Sequence, residues 1–496
     1  MLRRRFIVIV LATVLVVVAG AAGTVYWYLS RDGLRRALEA QASAWLGHPV
    51  RIGAARGQVF PRVAIQLKDI RVGEPAQLTL ADVELAADLR ALIDRRIENA
   101  DVLVSGSVID MPLPFGLPRG GSTKAEPTPE DGIRLVSIRS IALRSVRLRS
   151  RSQEIVVSAD SALDGATLTL ARFTAETGET ALAADGVIAL APRVEAGLKA
   201  TANRLNIDEL VALANAFSPE SSGERGTSAG QAPRIVATVS ADQATVGALQ
   251  ARRFTTELVA DGESIALNPL RFELFGGRYD GSLNARLGKT LSARLESRIT
   301  DIDVAQLTAF AGSPDTVTGR LSGSGTFTGS GADIAQLLHD ASGKATATIL
   351  SGSIRRLHLV RTVILFFGRP APQTEEATDR FDRIDAGFSL ANRVVRAETF
   401  SLHSPDADMV GEGTLNLDTD ALNGRVDISL SEALSAQAGT DLYRYTREGT
   451  RVVLPASIGG SLSNPRLAID VGAAAKRGLR NEVQRRIEDL FKGLGR

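Results

Sequence analysis

Asp301-Ile-Asp-Val-Ala-Gln-Leu-Thr-Ala-Phe310 decides how this chain is read. A strand-like run ends in Asp301-Ile-Asp303, and Val304 to Phe310 then follow with the apolar spacing of a short amphipathic helix. Asp303 stands where a carboxylate accepts a backbone N–H from the first turn, which makes it an N-cap. The arrangement recurs at Leu205-Asn-Ile-Asp208 before Glu209 to Phe217, and at Gly331-Ala-Asp333 before Ile334 to Leu338, with Asp208 and Asp333 as the expected caps. The repeated unit is a set of strands plus one small helix. Units that bury their apolar faces mainly against neighbours build elongated bodies.

Outward from these three points the chain alternates apolar and polar residues in short runs. Val63, Ile65 and Leu67, then Leu78 and Leu80, then Val83 and Leu85, then Val146 and Leu148, Leu168 and Leu170, Leu283 and Leu287, Leu415 and Leu417, and Val426, Ile428 and Leu430 read as half-buried strands. Arg31 to Leu46 has a helical pattern that ends at Gly47 and Pro49. Pro, Gly, Ser and charge dominate Pro112 to Gly132 and Ser218 to Pro233, which read as linkers between β modules at 31–111, 133–217 and 234–471. The expected class is mainly β and antiparallel.

From Phe6 to Leu29 the chain carries no charge, long enough as a helix to cross a hydrocarbon core of about 30 Å. Arg3, Arg4 and Arg5 precede the stretch and form the short cytoplasmic tip 1–5, while Tyr26, Trp27 and Tyr28 close the far end as an interfacial belt. A single transmembrane span at 6–29 would leave the bulk of the chain outside the cytoplasm. Ala19-Gly-Ala21 also admits a cleavable signal peptide.

The 496 residues are 44% apolar and 23% charged, ordinary for a folded protein, and 58 Lys and Arg against 56 Asp and Glu leave +2, so no global field attracts nucleic acid. The absence of cysteine excludes disulfides, thiolate nucleophiles and Cys-ligated metals. His48, His339, His358 and His403 are scattered and read as structural, and no phosphate loop, zinc helix or nucleophile elbow is present. Asp406 and Asp408 sit in Ser404-Pro-Asp-Ala-Asp408, which is turn chemistry, and Gly323, Gly325, Gly411 and Gly413 lie within strand-like alternation, as backbone punctuation. No catalytic residue, metal ligand or cofactor is expected.

In order along the chain, the basic start and single span, the short helix ending Trp45-Leu-Gly-His-Pro-Val-Arg-Ile52, Phe60-Pro-Arg-Val-Ala-Ile-Gln-Leu-Lys-Asp-Ile70, Leu274-Phe-Gly-Gly-Arg-Tyr-Asp-Gly281, the Asp303 helix, Gly319-Arg-Leu-Ser-Gly-Ser-Gly325, Gly411-Glu-Gly-Thr-Leu-Asn-Leu417 and Leu454-Pro-Ala-Ser-Ile-Gly-Gly-Ser-Leu-Ser-Asn-Pro465 resemble the AsmA family of bacterial envelope proteins. The resemblance implies an anchor in the Gram-negative inner membrane that carries a long, curved periplasmic β-sheet with an apolar inner face. It also implies a part in outer-membrane assembly and the conduction of lipid. The chain is shorter than many relatives, and the polar linkers carry no family motif.

With about 20 strands at about 4.8 Å, such a sheet extends about 100 Å, and its twist curls it into a taco-like trough whose apolar lining can hold acyl chains. Candidate lining residues are Ile65, Leu67, Leu78, Leu80, Leu283, Leu287, Val426 and Ile428. The apolar run Ile354 to Phe367 adds Val363, Leu365 and Phe367, which read either as core or as a wall of the lipid path. Alternation shows only that each set shares a face. A final helix at 473–494 places Leu479, Val483, Ile487, Leu490, Phe491 and Leu494 on one side, among Lys476, Arg477, Arg480, Arg485, Arg486 and Lys492; it reads as a cap on the sheet or as a membrane-surface helix. The expected partners are the inner membrane, phospholipid and an outer-membrane or periplasmic protein. The alternative is a scaffold or chaperone-like factor that binds unfolded strands by edge augmentation.

Overall fold

The structure, a computed structural model, describes residues 48–58, 63–74, 78–87, 96–97, 99–111, 134–135, 138–217, 232–288, 290–355, 379–437, 446–461 and 464–494, with single residues in 35–43, 362–367 and at 443. The expected membrane span 6–29, with Arg3, Arg4, Arg5, Tyr26, Trp27 and Tyr28, lies outside the described residues, as do 112–132 and 218–231. No described helix is long and apolar enough to cross a membrane. The chain divides into two units, Met1–Gly262 and Glu263–Arg496.

In the first unit the strands are β1 (Val50–Gln58), β2 (Val63–Val72), β3 (Leu78–Ala87), β4 (Arg96–Ile97), β5 (Ala100–Ser105), β6 (Val108–Met111), β7 (Arg134–Leu135), β8 (Ile138–Ser150), β9 (Gln153–Asp164), β10 (Thr167–Thr177), β11 (Thr180–Ala189), β12 (Glu195–Asn206), β13 (Arg234–Val246) and β14 (Leu249–Asp261). They pair in the order β1, β2, β3, then β5 and β6 sharing one position, then β8 through β14, while β4 and β7 form a separate parallel ribbon.

The expected all-antiparallel sheet is corrected here: β5 and β6 run parallel to β8, and β12 runs parallel to β13. These are the two points that the polar stretches 112–132 and 218–233 connect. A parallel pair cannot be joined by a hairpin and requires a crossover of a dozen or more residues, so the stretches read as linkers are what lets strand direction repeat.

A second departure from simple alternation splits the apolar pattern of β3 into two runs. Its inward residues are Leu78 and Leu80, then Val83 and Leu85, so the face changes phase by one residue in mid-strand. The same slip crosses the neighbouring strands: Ile52 to Ala55 in β1, Leu67 to Ile70 in β2, Val104 to Ser107 between β5 and β6, and Leu143 to Val146 in β8. Left-handed residues sit in it at Asp69 (φ 52°), Gly106 (φ 58°) and Ser145 (φ 52°). Beside Asp69, Gly53 leaves the space that a side chain would take, since a Cβ there would stand 2.9 Å from the Asp69 Cβ. Both halves of each strand thereby face one sealed cluster containing Ile52, Ile65, Leu67, Ile70, Val72, Val83, Leu85, Val102, Val104, Ile138 and Ile141.

The free edge of β1 is partly covered. Val50 N–H donates to Ser43 Oγ at 2.8 Å and Ile52 N–H to the Glu39 carboxylate at 2.8 Å, so side chains of the preceding helical residues take amides that an added strand would need. The helix Ile207–Phe217 packs on β9 and β13, with Ser150 Oγ–H donating to the Ala216 carbonyl and Leu213 and Ala216 buried. Its cap differs from expectation: Asn206 Oδ1 accepts from the Asp208 and Glu209 amides, and Asp208 instead accepts from Gly247 N–H.

In the second unit β15 (Ser264–Leu274), β16 (Gly277–Leu287), β17 (Leu291–Asp303), β18 (Arg320–Gly331), β19 (Ser342–Ile354), β20 (Asp379–Ala391), β21 (Val394–His403), β22 (Ala407–Asn416) and β23 (Leu422–Leu430) pair antiparallel in chain order. β24 (Arg447–Glu448) folds back on β25 (Arg451–Gly460), which lies between β23 and β26 (Pro465–Ile469). Asp303 caps Val304–Phe310 by accepting from the Ala305 and Gln306 amides, and Asp333 caps Ile334–His339 by accepting from Gln336. Glu432–Ser435 and Val471–Leu494 complete the helices of this unit among the described residues.

Candidate functional site

Within the second unit the register lines alternate residues into rows that run across the strands. One row is Leu267, Leu283, Leu295, Phe327, Gly343 and Leu390. Four residues along each strand, or five across the bulge in β15, and about 13 Å away runs a second: Phe272, Tyr279, Ile299, Gly323, Ala347 and Ala386. Between them lies a row of smaller groups over β16 to β19, Gly281, Ser297, Gly325 and Ala345, with Leu270 and Phe388 at its ends. A bulge at Asn268 and Pro269 sets both Leu267 and Leu270 on this face.

The glycines have a steric task. A Cβ at Gly281 would stand 2.7 Å from the Tyr279 hydroxyl, and one at Gly325 or Gly343 would stand 3.0 or 2.5 Å from the Phe327 ring. The rings of Tyr279 and Phe327 therefore lie down over glycine backbone instead of standing up from the sheet. Phe272 and Tyr279 stack with centroids 4.4 Å apart and planes within 5°. Burial pushes the Tyr279 hydroxyl pKa up, against a hydrogen bond with Ser297.

Of the apolar side chains in β15 to β19 on these three rows, none is sealed. Leu267, Leu270, Phe272, Leu283, Leu295, Ile299, Phe327, Ala345 and Ala347 are all half-buried. The opposite face of the same strands is charged, with ion pairs Arg271–Asp280 at 2.7 Å and Arg294–Glu296 at 3.1 Å. Asp385, on that outer face of β20, is held down to about 2 by hydrogen bonds from Arg383 and Thr348. The sheet therefore has one wet face and one apolar face that stays accessible.

Further along the unit the apolar face is closed. Phe381, Ile384, Leu402, Met409, Val426, Ile428, Leu430, Val452 and Leu454 form a filled cluster with Val363 and with Leu434 of the helix Glu432–Ser435. Buried Ser435 Oγ accepts from Val452 N–H at 2.9 Å, fixing that helix to β25. A polar latch lies beside it. Arg451 donates to the carbonyls of Leu430 and Ser429 and to Asp408 at 2.6 Å, and His403 Nδ1 stands 2.8 Å from the other Asp408 oxygen. Burial opposes ionisation of Asp408, but the Arg451 and His403 hydrogen bonds outweigh it and hold its carboxyl below the usual carboxylate range.

The candidate lining residues separate into distinct environments. Ile65 and Leu67 sit in the sealed cluster of the first unit, with Leu78 and Leu80 half-buried against it. Val363, Val426 and Ile428 sit in the sealed cluster of the second, with Phe367 half-buried against it and Leu365 exposed. Leu283 lies on the open face, and Leu287 is exposed at the end of β16. Phe272, Tyr279, Leu295 and Phe327 join Leu283 on that face without being among the candidates. Their signal was glycine at alternate strand positions beside an aromatic, as in Gly323-Ser-Gly-Thr-Phe327. Among the described residues no group of three or more His, Asp or Glu side chains stands ready to hold a metal ion.

The family model of the AsmA family matches residues 211–436, which contain the whole open face. Protein AsmA of Escherichia coli (strain K12) is 20% identical over 342 residues, covering 63% of this chain and 54% of that protein, so the match spans about half the length of this curated relative. No solved structure matches. Residues 211–436, which include the open face, are thus similar to the AsmA family, and the similarity to Protein AsmA extends over 342 residues.

Proposed function

We propose that the protein is a non-enzymatic bacterial envelope protein of outer-membrane assembly and envelope lipid homeostasis. In this reading Phe6–Leu29 anchors it in the inner membrane, the bulk of the chain lies in the periplasm, and the open face of β15 to β19 holds the acyl chains of phospholipid passing between the membranes. The observation that carries the reading is the accessible apolar face, with its charged reverse side. Each methylene withdrawn from water contributes about 0.8 kcal/mol, so a diacyl lipid gains strongly from lying on such a surface. Rings laid flat over Gly281 and Gly325 make that surface even along the row, and an acyl chain that slides exchanges one apolar contact for a similar one. The head group remains in water. The similarity of residues 211–436 to the AsmA family supports the envelope setting.

The test is gentle extraction of the full chain followed by mass spectrometry of what co-purifies, for the natural sequence and for Leu283→Arg/Leu295→Arg. Phospholipid that co-purifies with the natural sequence and falls away in the double variant, at equal folded yield, is the expected result. Equal lipid in both, or polypeptide clients in place of lipid, would overturn the reading; the second outcome favours the strand-binding scaffold.

A further inference from the structure

The helix Val471–Leu494 packs one side against β25 and leaves another side uncovered. Asp470 caps it, its Oδ1 accepting from Ala473 N–H at 2.9 Å. Ala474 and Gly478 are buried, and Arg477 donates both Nη atoms to the Asp427 carboxylate at 3.0 and 2.9 Å while its Nε stands 3.1 Å from Glu448. The next residue round the helix turns away from the sheet. Leu479 is 71% exposed and Val483 56% exposed, two large apolar side chains four residues apart on one helix face with no cover. The sequence beyond keeps apolar residues at helical spacing, Ile487, Leu490, Phe491 and Leu494.

Lys476 and Arg480 are exposed on the same stretch, and the sequence of the helix adds Arg485, Arg486 and Lys492 against Glu482, Glu488 and Asp489, an excess of positive charge after Arg477 has been taken up by Asp427 and Glu448. At 1.5 Å per residue the helix is about 36 Å long, and it is too polar to span a bilayer. Uncovered apolar side chains on a helix with an excess of basic residues are complementary to one surface in particular, the boundary between anionic head groups and acyl chains.

We propose that the helix from Leu479 onward lies on the surface of an anionic phospholipid bilayer, with the Arg477–Asp427–Glu448 cluster fixing its start to the sheet. The docking is independent of lipid holding on β15 to β19. It gives the C-terminal end of the chain a membrane contact of its own, separate from any span at the other end.

The absence of cysteine permits a direct test on the full chain, held in nanodiscs of neutral phosphatidylcholine. V483C carries an environment-sensitive fluorophore, and V410C, at a β22 position 60% exposed, serves as the control label. Vesicles of phosphatidylglycerol and phosphatidylcholine are added, or vesicles of phosphatidylcholine alone. The expected result is a blue shift and a rise in emission at V483C with the anionic vesicles, little change with neutral ones, and none at V410C. In the V483C-labelled protein, Leu479→Asp should weaken vesicle binding by about tenfold or more, as expected for removing one large apolar contact. No response at V483C, an equal response to both vesicle types, or an equal response at V410C would overturn the proposal. The label reports the helix and not the sheet, so failure here leaves lipid co-purification standing, and failure of co-purification leaves this result standing.

Discussion

Strands β15 to β19 and strands β21 to β25 belong to one unit, share one antiparallel register and alternate apolar and polar residues in the same way, yet one apolar face is open and the other is filled. Two differences account for it. The filled face is built of branched side chains, Val426, Ile428, Leu430, Val452 and Leu454, and is covered by Leu434 of the helix Glu432–Ser435 and by Val363. The open face has a small row, Gly281, Ser297, Gly325 and Ala345, and its aromatic rings lie along the sheet. Alternation therefore decides which residues share a face. Cover and side-chain size decide whether that face is a core or a surface.

The largest expected effect is on the filled side. Leu454 and Ile428 are fully buried, so Leu454→Ala or Ile428→Ala should lower the unfolding free energy of this unit by about 2–5 kcal/mol in urea titrations. Next comes Gly325→Val, which forces a side chain against the Ala345 Cβ and the Phe327 ring and should cost about 1–3 kcal/mol, with a change in near-ultraviolet dichroism as the aromatic rings are displaced.

The latch sharpens the comparison through pH. Because the folded-state pKa of Asp408 is depressed, its contribution is complete above the ordinary carboxylate range and is lost as pH falls through the lowered folded value. Asp408→Asn should cost about 1–2 kcal/mol at neutral pH and flatten the acid limb of the stability profile, measured as unfolding midpoints from neutral pH to the acid limit. Smallest is Leu295→Ala on the open face, half-buried in the folded chain, which should change stability by less than about 1 kcal/mol. A loss there as large as at Leu454 would mean the open face is a core after all.

Much of this architecture is legible in the sequence, and the parts that are not fail for definite reasons. Asp303 and Asp333 cap the helices their positions imply, because an N-cap is a local bond between near neighbours. Asp208 fails the same test because Asn206, two residues earlier, offers an equally good acceptor. The strand β3 appears as two runs because a phase slip at Ala81 and Asp82 breaks the two-residue period without ending the strand. The parallel joints at β8 and β13 are hidden since strand direction leaves no mark in alternation; only the length of the preceding linkers hints at them. Among the candidate lining residues, Val426 and Leu283 look alike in sequence. One is sealed and the other open because Val426 shares a cluster with Val363, far away in the chain, and with Leu434 of the helix that follows β23.

The most direct test places a photo-activatable amino acid, in turn, at Leu295 and Ala345 on the open face and at Arg294 on the charged face of the same strand as Leu295, and irradiates the protein in cells. The account predicts phospholipid adducts at Leu295 and Ala345 and essentially none at Arg294. Equal labelling on both faces, or no lipid adduct at Leu295 and Ala345 in folded protein, would contradict it.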